Sequence, residues 1–217
     1  MQIHADLTRR ASVDSNALEW VPSPMAGVER RMLERDGAEV ARATSLVRYA
    51  PGSAFSAHTH DLGEEFLVLD GVFSDETGDF AKGMYVRNPP GSSHVPSSAP
   101  GATILVKLRQ MAPDDTTFVR IDTHDETAWQ TGRTGERRLP LFSNAHEEVA
   151  MLDWEKGTAF ETVSLPGGAE YFVLSGSFTD ENGTYPEGSW LRLPAGSTQT
   201  IASPTGARVY RKTGHLA

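Results

Sequence analysis

The 217-residue sequence predicts an all-β chain made of two tandem barrels, and three observations lead there. Short runs rich in strand-forming residues, such as Phe66-Leu67-Val68-Leu69, Thr103-Ile104-Leu105-Val106 and Tyr171-Phe172-Val173-Leu174, are punctuated by turn residues, of which there are 20 glycines and 13 prolines. Helical patterning is scarce, with one weak candidate over Ala11 to Leu18, so a layered α/β fold is disfavoured. Finally, the stretch Glu65 to Gly78 returns as Glu170 to Gly183, with Gly71 matching Gly176, an offset of 105 positions.

That offset organises most of the chain. It carries Gly83 to Gly188, Arg87 to Arg192, Pro89 to Pro194, Gly91 to Gly196 and Gly101-Ala102 to Gly206-Ala207. Upstream, Trp20 pairs with Trp129 and Glu39-Val40-Ala41 with Glu148-Val149-Ala150 at an offset of 109, which places a four-residue deletion in the second copy between the two registers. Each copy of about a hundred residues suits one small closed barrel. The expected division is 1–112 and 113–217, with a linker over Gln110 to Thr117, where Pro and Asp accumulate.

Bulk chemistry narrows the function. A formal charge of -9, with no Lys/Arg-rich run, argues against a nucleic-acid partner and favours a small molecule. The absence of cysteine removes disulfides, thiolate ligands and thiol nucleophiles together. The opening MQIHADLTRRASVDS lacks the apolar stretch of a signal peptide, and no window is apolar enough for a membrane span, so a cytoplasmic protein without a membrane partner is expected.

The chemistry concentrates in the first copy. It reads Gly52, His58-Thr59-His60, Glu64 and Gly71, then Gly83, Pro89-Pro90-Gly91-Ser92-Ser93 and His94. These spacings resemble the two motifs of the cupins throughout, except that Ser98 stands where an asparagine often closes the second motif. The resemblance implies jelly-roll barrels, hence a bicupin, in which His58, His60, Glu64 and His94 hold one divalent metal ion. Independently, His58 and His60 are two apart, so on a strand both imidazoles point to one face. Glu64 follows the Asp61-Leu62-Gly63 turn on what looks like the partner strand of a hairpin, and His94 arrives from a strand distant in sequence. Imidazoles with a hard carboxylate suit Fe(II) or Zn(II), with Ni(II), Mn(II) or Cu(II) as alternatives, and leave coordination positions open.

The second copy serves as an internal control. The four ligand positions become Val163, Leu165, Ala169 and Gln199, so the second barrel is expected to hold no metal. Glu65, Arg87 and Asp75-Glu76 recur as Glu170, Arg192 and Asp180-Glu181, and are therefore read as structural. The remaining histidines, His4, His124, His146 and His215, are expected in solvent.

The paired glutamates and the Gly71-Val72-Phe73-Ser74-Asp75-Glu76 hairpin resemble the ChrR-like cupins in particular. That family includes the cupin of the anti-sigma factor ChrR and oxygenases that cleave small aryl ketones or β-diketones. The resemblance implies either a metal-dependent dioxygenase on a small organic molecule or a non-catalytic metal sensor in a transcription pathway. ChrR restrains its sigma factor through a helical, cysteine-containing zinc module, and neither feature is found here, so direct sigma-factor binding is not expected. A homodimer is expected by analogy with barrels that expose a strand edge. In the enzyme reading the neighbourhood of Phe55, Phe66, Met84 and Tyr85 would supply apolar walls, although each of them taken singly reads as barrel core, and no general acid or base is identified.

Overall fold

The computed structural model describes residues 1–216 and is built almost wholly of strands. Two compact units form: Met1–Ala5 with Leu18–His124, and Asp6–Ala17 with the chain from Asp125 onwards.

In the first unit the main sheet runs Gln2–Ile3, Val28–Gly37, Ala41–Tyr49, Ala102–Leu108, Glu64–Asp75, Met84–Asn88 and Val119–Asp122, each strand antiparallel to its neighbour. Glu64–Asp75 also pairs with Gly78–Ala81 and Ser97–Ser98 beyond Gly71. It therefore serves two stretches of sheet and must bend between them. A bulge in its pairing with Ala102–Leu108 makes the bend, and Gly71 takes φ +71° there, where a Cβ would overlap the Gly101 carbonyl. Gly176 meets the Gly206 carbonyl in the same way at φ +70°, which explains the strict recurrence of this glycine. Between the sheet faces lie Val68, Phe66, Phe73, Val86 and Ile104, all at most 2% exposed. Burying side chains of this size contributes about 2 kcal/mol each, so the barrel has a core that does not depend on an ion.

The second unit repeats the order with Gln130–Thr131, Glu136–Ser143, Glu148–Trp154, Ala207–Thr213, Ala169–Asp180, Ser189–Leu193 and Ala11–Asp14. The last of these is informative. Ala11–Asp14, from the start of the first repeat, pairs with Ser189–Leu193 of the second, while Val119–Asp122, which opens the second repeat, pairs with Met84–Asn88 of the first. Each repeat thus lends a strand from near its start to the edge of the other repeat's sheet. The repeat boundary at residue 112 and the compact units are consequently different divisions: 113–124 belong to the first unit and 6–17 to the second. The weak helix expected over Ala11 to Leu18 is this strand followed by a single 3₁₀ turn, Ser15–Ala17.

The duplicated charges hold the exchanged strands. Arg87, fully buried, binds Glu65 at 3.3 Å and reaches Asp115 at 2.5 Å, just ahead of the strand at Val119. Its counterpart Arg192 donates to the carbonyls of Asp6 and Arg9, just ahead of the strand at Ala11. Glu65 also accepts from the Tyr85 hydroxyl at 2.7 Å, and Glu170 from the Trp190 indole at 2.7 Å.

Strand register corrects one alignment. Ala102 faces Tyr49 and Ala207 faces Trp154, so Tyr49 matches Trp154 and the offset of 105 extends back to Ala43 and Glu148. The pairing of Glu39-Val40-Ala41 with Glu148-Val149-Ala150 is a local coincidence. The register changes instead inside the preceding hairpin, where the chain turns between Gly37 and Ala41 in one copy and between Ser143 and Glu148 in the other.

Arg87→Ala leaves Glu65 buried without its guanidinium and frees the segment ahead of Val119, an expected cost of about 3 kcal/mol. Chemical denaturation followed by fluorescence checks it, with the first unfolding midpoint falling.

Candidate metal centre

His58–Thr59 and Ser93–His94 form a two-stranded ladder in which His58 and His94 face each other directly. Glu64 is therefore not across a hairpin from His58, as the sequence suggests. It begins the long strand, opposite Asn88 and Leu108, and the turn through Gly63 at φ +74° redirects the chain so that its side chain returns towards the imidazoles. The result brings all four residues together. One nitrogen or oxygen from each lies within 4.8 Å of the others, and the imidazole centroids are 4.7–5.0 Å apart.

The orientation of each ring is set from behind. His58 Nδ1 lies 2.9 Å from the Ser56 carbonyl, His60 Nδ1 3.0 Å from the Ser92 hydroxyl, and His94 Nδ1 3.2 Å from Asp75 Oδ2. Asp75 is itself fixed, since its other oxygen accepts from the Thr77 amide and hydroxyl at 2.7 and 2.6 Å. With the Nδ1 positions occupied, the Nε2 atoms of His60 and His94 each lie 3.5 Å from Glu64 Oε2. Both are buried and have no hydrogen-bond partner. A spacing near 3.4 Å is what ligand atoms about 2.1 Å from one tetrahedral ion would adopt. Outer contacts of this kind select the tautomer in which Nε2 carries the free lone pair.

The electrostatics match that requirement. Burial, with help from His94 and His58, pushes His60 down to about 3, and burial also lowers His94, so both imidazoles are neutral at ordinary pH. Glu64 is raised to about 7, chiefly by burial. Without a cation the site therefore disfavours the charged forms of His60, His94 and Glu64. Orphaned nitrogens and a carboxyl that resists ionisation fit a divalent ion, which would satisfy all of them.

Four contributors carry no usable signal in the sequence. Asp75 reads as structural because it recurs as Asp180, and in the second barrel Asp180 does make the equivalent contact, with Gln199 at 3.1 Å. Arg120 comes from the exchanged strand and donates to Asn88 Oδ1 at 2.7 Å, while Asn88 donates to Glu64 Oε2 at 3.4 Å. No motif spacing links these residues. Tyr49 lines the adjoining cavity, is 7% exposed, and makes no hydrogen bond through its hydroxyl within the described residues. Burial and the neighbouring Glu64 raise its pKa above the ordinary phenol range.

The cavity has a volume of about 340 Å³ and is lined by Val47, Phe55, Ile104, Val106 and Leu108 besides Tyr49. His58, His60 and Glu64 open onto it. Of the four residues whose neighbourhood would supply apolar walls, Phe55 lines this space, while Phe66 and Tyr85 are buried and Met84 packs against the core, in line with the core reading of each taken singly. Ser98, in place of the motif asparagine, spends its hydroxyl on the Val72 carbonyl at 2.6 Å. In the second barrel Val163 faces Gln199 across the equivalent ladder, and Leu165 and Ala169 take the other two places. His4 and His146 are exposed and His124 largely so, but the side chain of His215 is enclosed at 1% exposure beside Glu170 at 3.3 Å, a correction to its expected place in solvent.

The family model of the ChrR cupin-like domain matches residues 8–112 and again 117–217. The chain belongs to the ChrR cupin-like family. It is a bicupin of that family, each match beginning just ahead of an exchanged strand. No curated protein matches significantly. Among solved structures, this cupin chain superposes on a Nostoc punctiforme protein assigned provisionally as a dioxygenase, at 16% identity and TM-score 0.77 over 94% of this chain and 82% of the other. It also superposes on Ylba from Escherichia coli, at 15% and 0.73 over 100% and 95%, and on a single-substitution variant of Bacillus subtilis oxalate decarboxylase, at 11% and 0.64 over 94% and 77%. At these identities the likeness speaks for the fold.

Two outcomes are expected. Arg120→Met removes the support of Asn88 and Glu64, and divalent-metal affinity, measured by competition with a chelating dye, falls about tenfold. Acidification works in the same direction. Glu64 must be ionised to act as a ligand, and below its value of about 7 the ionised fraction falls about tenfold per pH unit. Affinity should therefore weaken steadily from pH 7 to pH 5 and flatten in Glu64→Gln.

Proposed function

We propose that the first cupin binds one divalent ion, Fe(II) or Zn(II) ahead of Ni(II) or Mn(II), through His58, His60, Glu64 and His94, and acts as a metal-dependent dioxygenase or related enzyme on a small organic molecule. The observation that carries this reading is that the ligand cluster has an open side, and that side faces a half-open cavity, mainly apolar but also lined by Arg30, Arg35, Glu39 and Arg109, rather than packed core. A purely structural ion would be closed on all sides by protein. A bound ion would supply Lewis acidity and, as iron, electrons for oxygen.

The protein's own groups do the rest. Val47, Phe55, Ile104, Val106 and Leu108 exclude water and select an apolar substrate body of modest size. Tyr49 offers a phenol proton to a substrate oxygen, since its hydroxyl has no partner among the described residues and burial keeps it protonated. Asp75, Ser92 and the Ser56 carbonyl hold the imidazoles in their ligand tautomer. The provisional dioxygenase and the oxalate decarboxylase with similar folds support an oxidative or carbon–carbon cleaving activity, as does the aryl ketone and β-diketone chemistry of similar cupins.

A second reading, a non-catalytic metal sensor, rests on the family match to the cupin of ChrR. The two separate on one experiment. Oxygen consumption by the Fe(II)-loaded protein is measured against a panel of aryl ketones and β-diketones. The enzyme reading expects turnover with at least one member, lost in His94→Ala together with the metal. In Tyr49→Phe metal content should be unchanged and kcat should fall about 10²-fold. No turnover with any member at full iron occupancy favours the sensor. The formal charge of -9 accords with a small-molecule partner rather than a nucleic acid, and among the described residues no helix is long and apolar enough to cross a membrane.

A further inference from the structure

The second barrel keeps a cavity of about 300 Å³ where the first has its metal cluster. Its walls include Val163 and Leu165, the counterparts of His58 and His60, so a cation has lost its ligands there. What replaces them is positive. Arg211 stands at the position of Val106, and Tyr171, its direct cross-strand neighbour, at the position of Phe66. Arg133 joins them from outside the motif strands, its guanidinium 3.8 Å from the centroid of the Phe160 ring.

Three features distinguish this from an incidental surface. First, no acidic side chain among the described residues lines the cavity. The acids that balance the arginines lie behind them: Arg133 binds Glu136 through Nη2 at 2.9 Å, and Arg211 binds Glu148 through Nη2 at 2.6 Å. Glu148 is shared with Arg138 at 2.8 Å, so three guanidinium groups face two carboxylates. Second, donors are left over. Arg211 Nε is buried and unpartnered, and each guanidinium carries five N–H donors. Third, Tyr171 is 2% exposed, and its hydroxyl makes no hydrogen bond within the described residues. All three groups line the same cavity, and the phenol feels both arginines as well as, in the opposite sense, Asp180 and Glu136.

We propose that the second cupin binds a small organic carboxylate in this cavity. The carboxylate sits between Arg211, Arg133 and the Tyr171 hydroxyl, and an apolar body of roughly ten heavy atoms rests against Val163, Leu165 and Ile201. Guanidinium pairs match carboxylate geometry, and the phenol adds a neutral donor to the same oxygens. The duplication thereby turned one scaffold into a cation site and an anion site.

The test is calorimetric titration of the full-length protein with benzoate, with benzyl alcohol as the neutral counterpart and inorganic phosphate as the anion without an apolar body. Saturable binding of one benzoate per chain is expected, with benzyl alcohol and phosphate each at least about tenfold weaker. Arg211→Val and Tyr171→Phe install the residues of the first repeat and so suit the same strands. The first should weaken benzoate binding about tenfold or more and the second several-fold. His94→Ala, which disables the first site alone, should leave benzoate binding unchanged. Failure to saturate by about 10 mM in the folded wild-type protein would overturn the proposal. So would binding that Arg211→Val and Tyr171→Phe leave intact, binding abolished by His94→Ala, or phosphate competing as well as benzoate.

Discussion

Two buried imidazole nitrogens with nothing to bond to, and a carboxyl pressed between them, are the constraint around which the first barrel is built. Each unsatisfied buried polar atom costs about 1–3 kcal/mol, so the arrangement is unfavourable by itself. It persists because every surrounding contact enforces it. Ser56, Ser92 and Asp75 engage the far side of the rings, Thr77 fixes Asp75, and Asn88 with Arg120 fixes Glu64. A scaffold that spends so many hydrogen bonds on orienting three imidazoles is arranged for an ion.

The two repeats show what belongs to the scaffold and what belongs to the site. The glycine at the strand bend, a buried Glu facing a buried Arg across strands, and the clamped aspartate occur in both, and each has a structural task in both. The ligands occur once. The strand exchange joins the copies in a way that simple tandem duplication would not require: the strand opening the second repeat carries Arg120 to the metal cluster of the first. A repeat separated at residue 112 would lose that strand and expose the edge of Met84–Asn88.

Much of this was legible in the sequence, for identifiable reasons. The ligand set stood out because His58, His60, Glu64 and His94 vanish as a group at an offset that the glycines preserve. The β class followed from turn spacing. The exchanged strands were not legible, because the alternation within Ala11–Asp14 or Val119–Asp122 does not say which edge the strand will join. Asp75 was hidden by its own recurrence, since a residue kept in the copy without the ligands looks purely architectural. The Glu39-Val40-Ala41 alignment failed because a three-residue identity outweighed strand register, which only pairing with Ala102–Leu108 and Ala207–Thr213 reveals. Tyr49 has no sequence signal at all, as its counterpart Trp154 instead donates its indole proton to Glu136 at 2.8 Å.

The central claim is that one ion sits among the four side chains of the first repeat and none in the second. Anomalous diffraction from crystals of the purified protein, collected on both sides of the absorption edge of the metal it carries, addresses it directly. The expected map has a single strong peak per chain, within bonding distance of Nε2 of His58, His60 and His94 and of a Glu64 oxygen. A metal-loaded crystal with no peak at that point, or with its peak between Val163 and Gln199, would contradict the account.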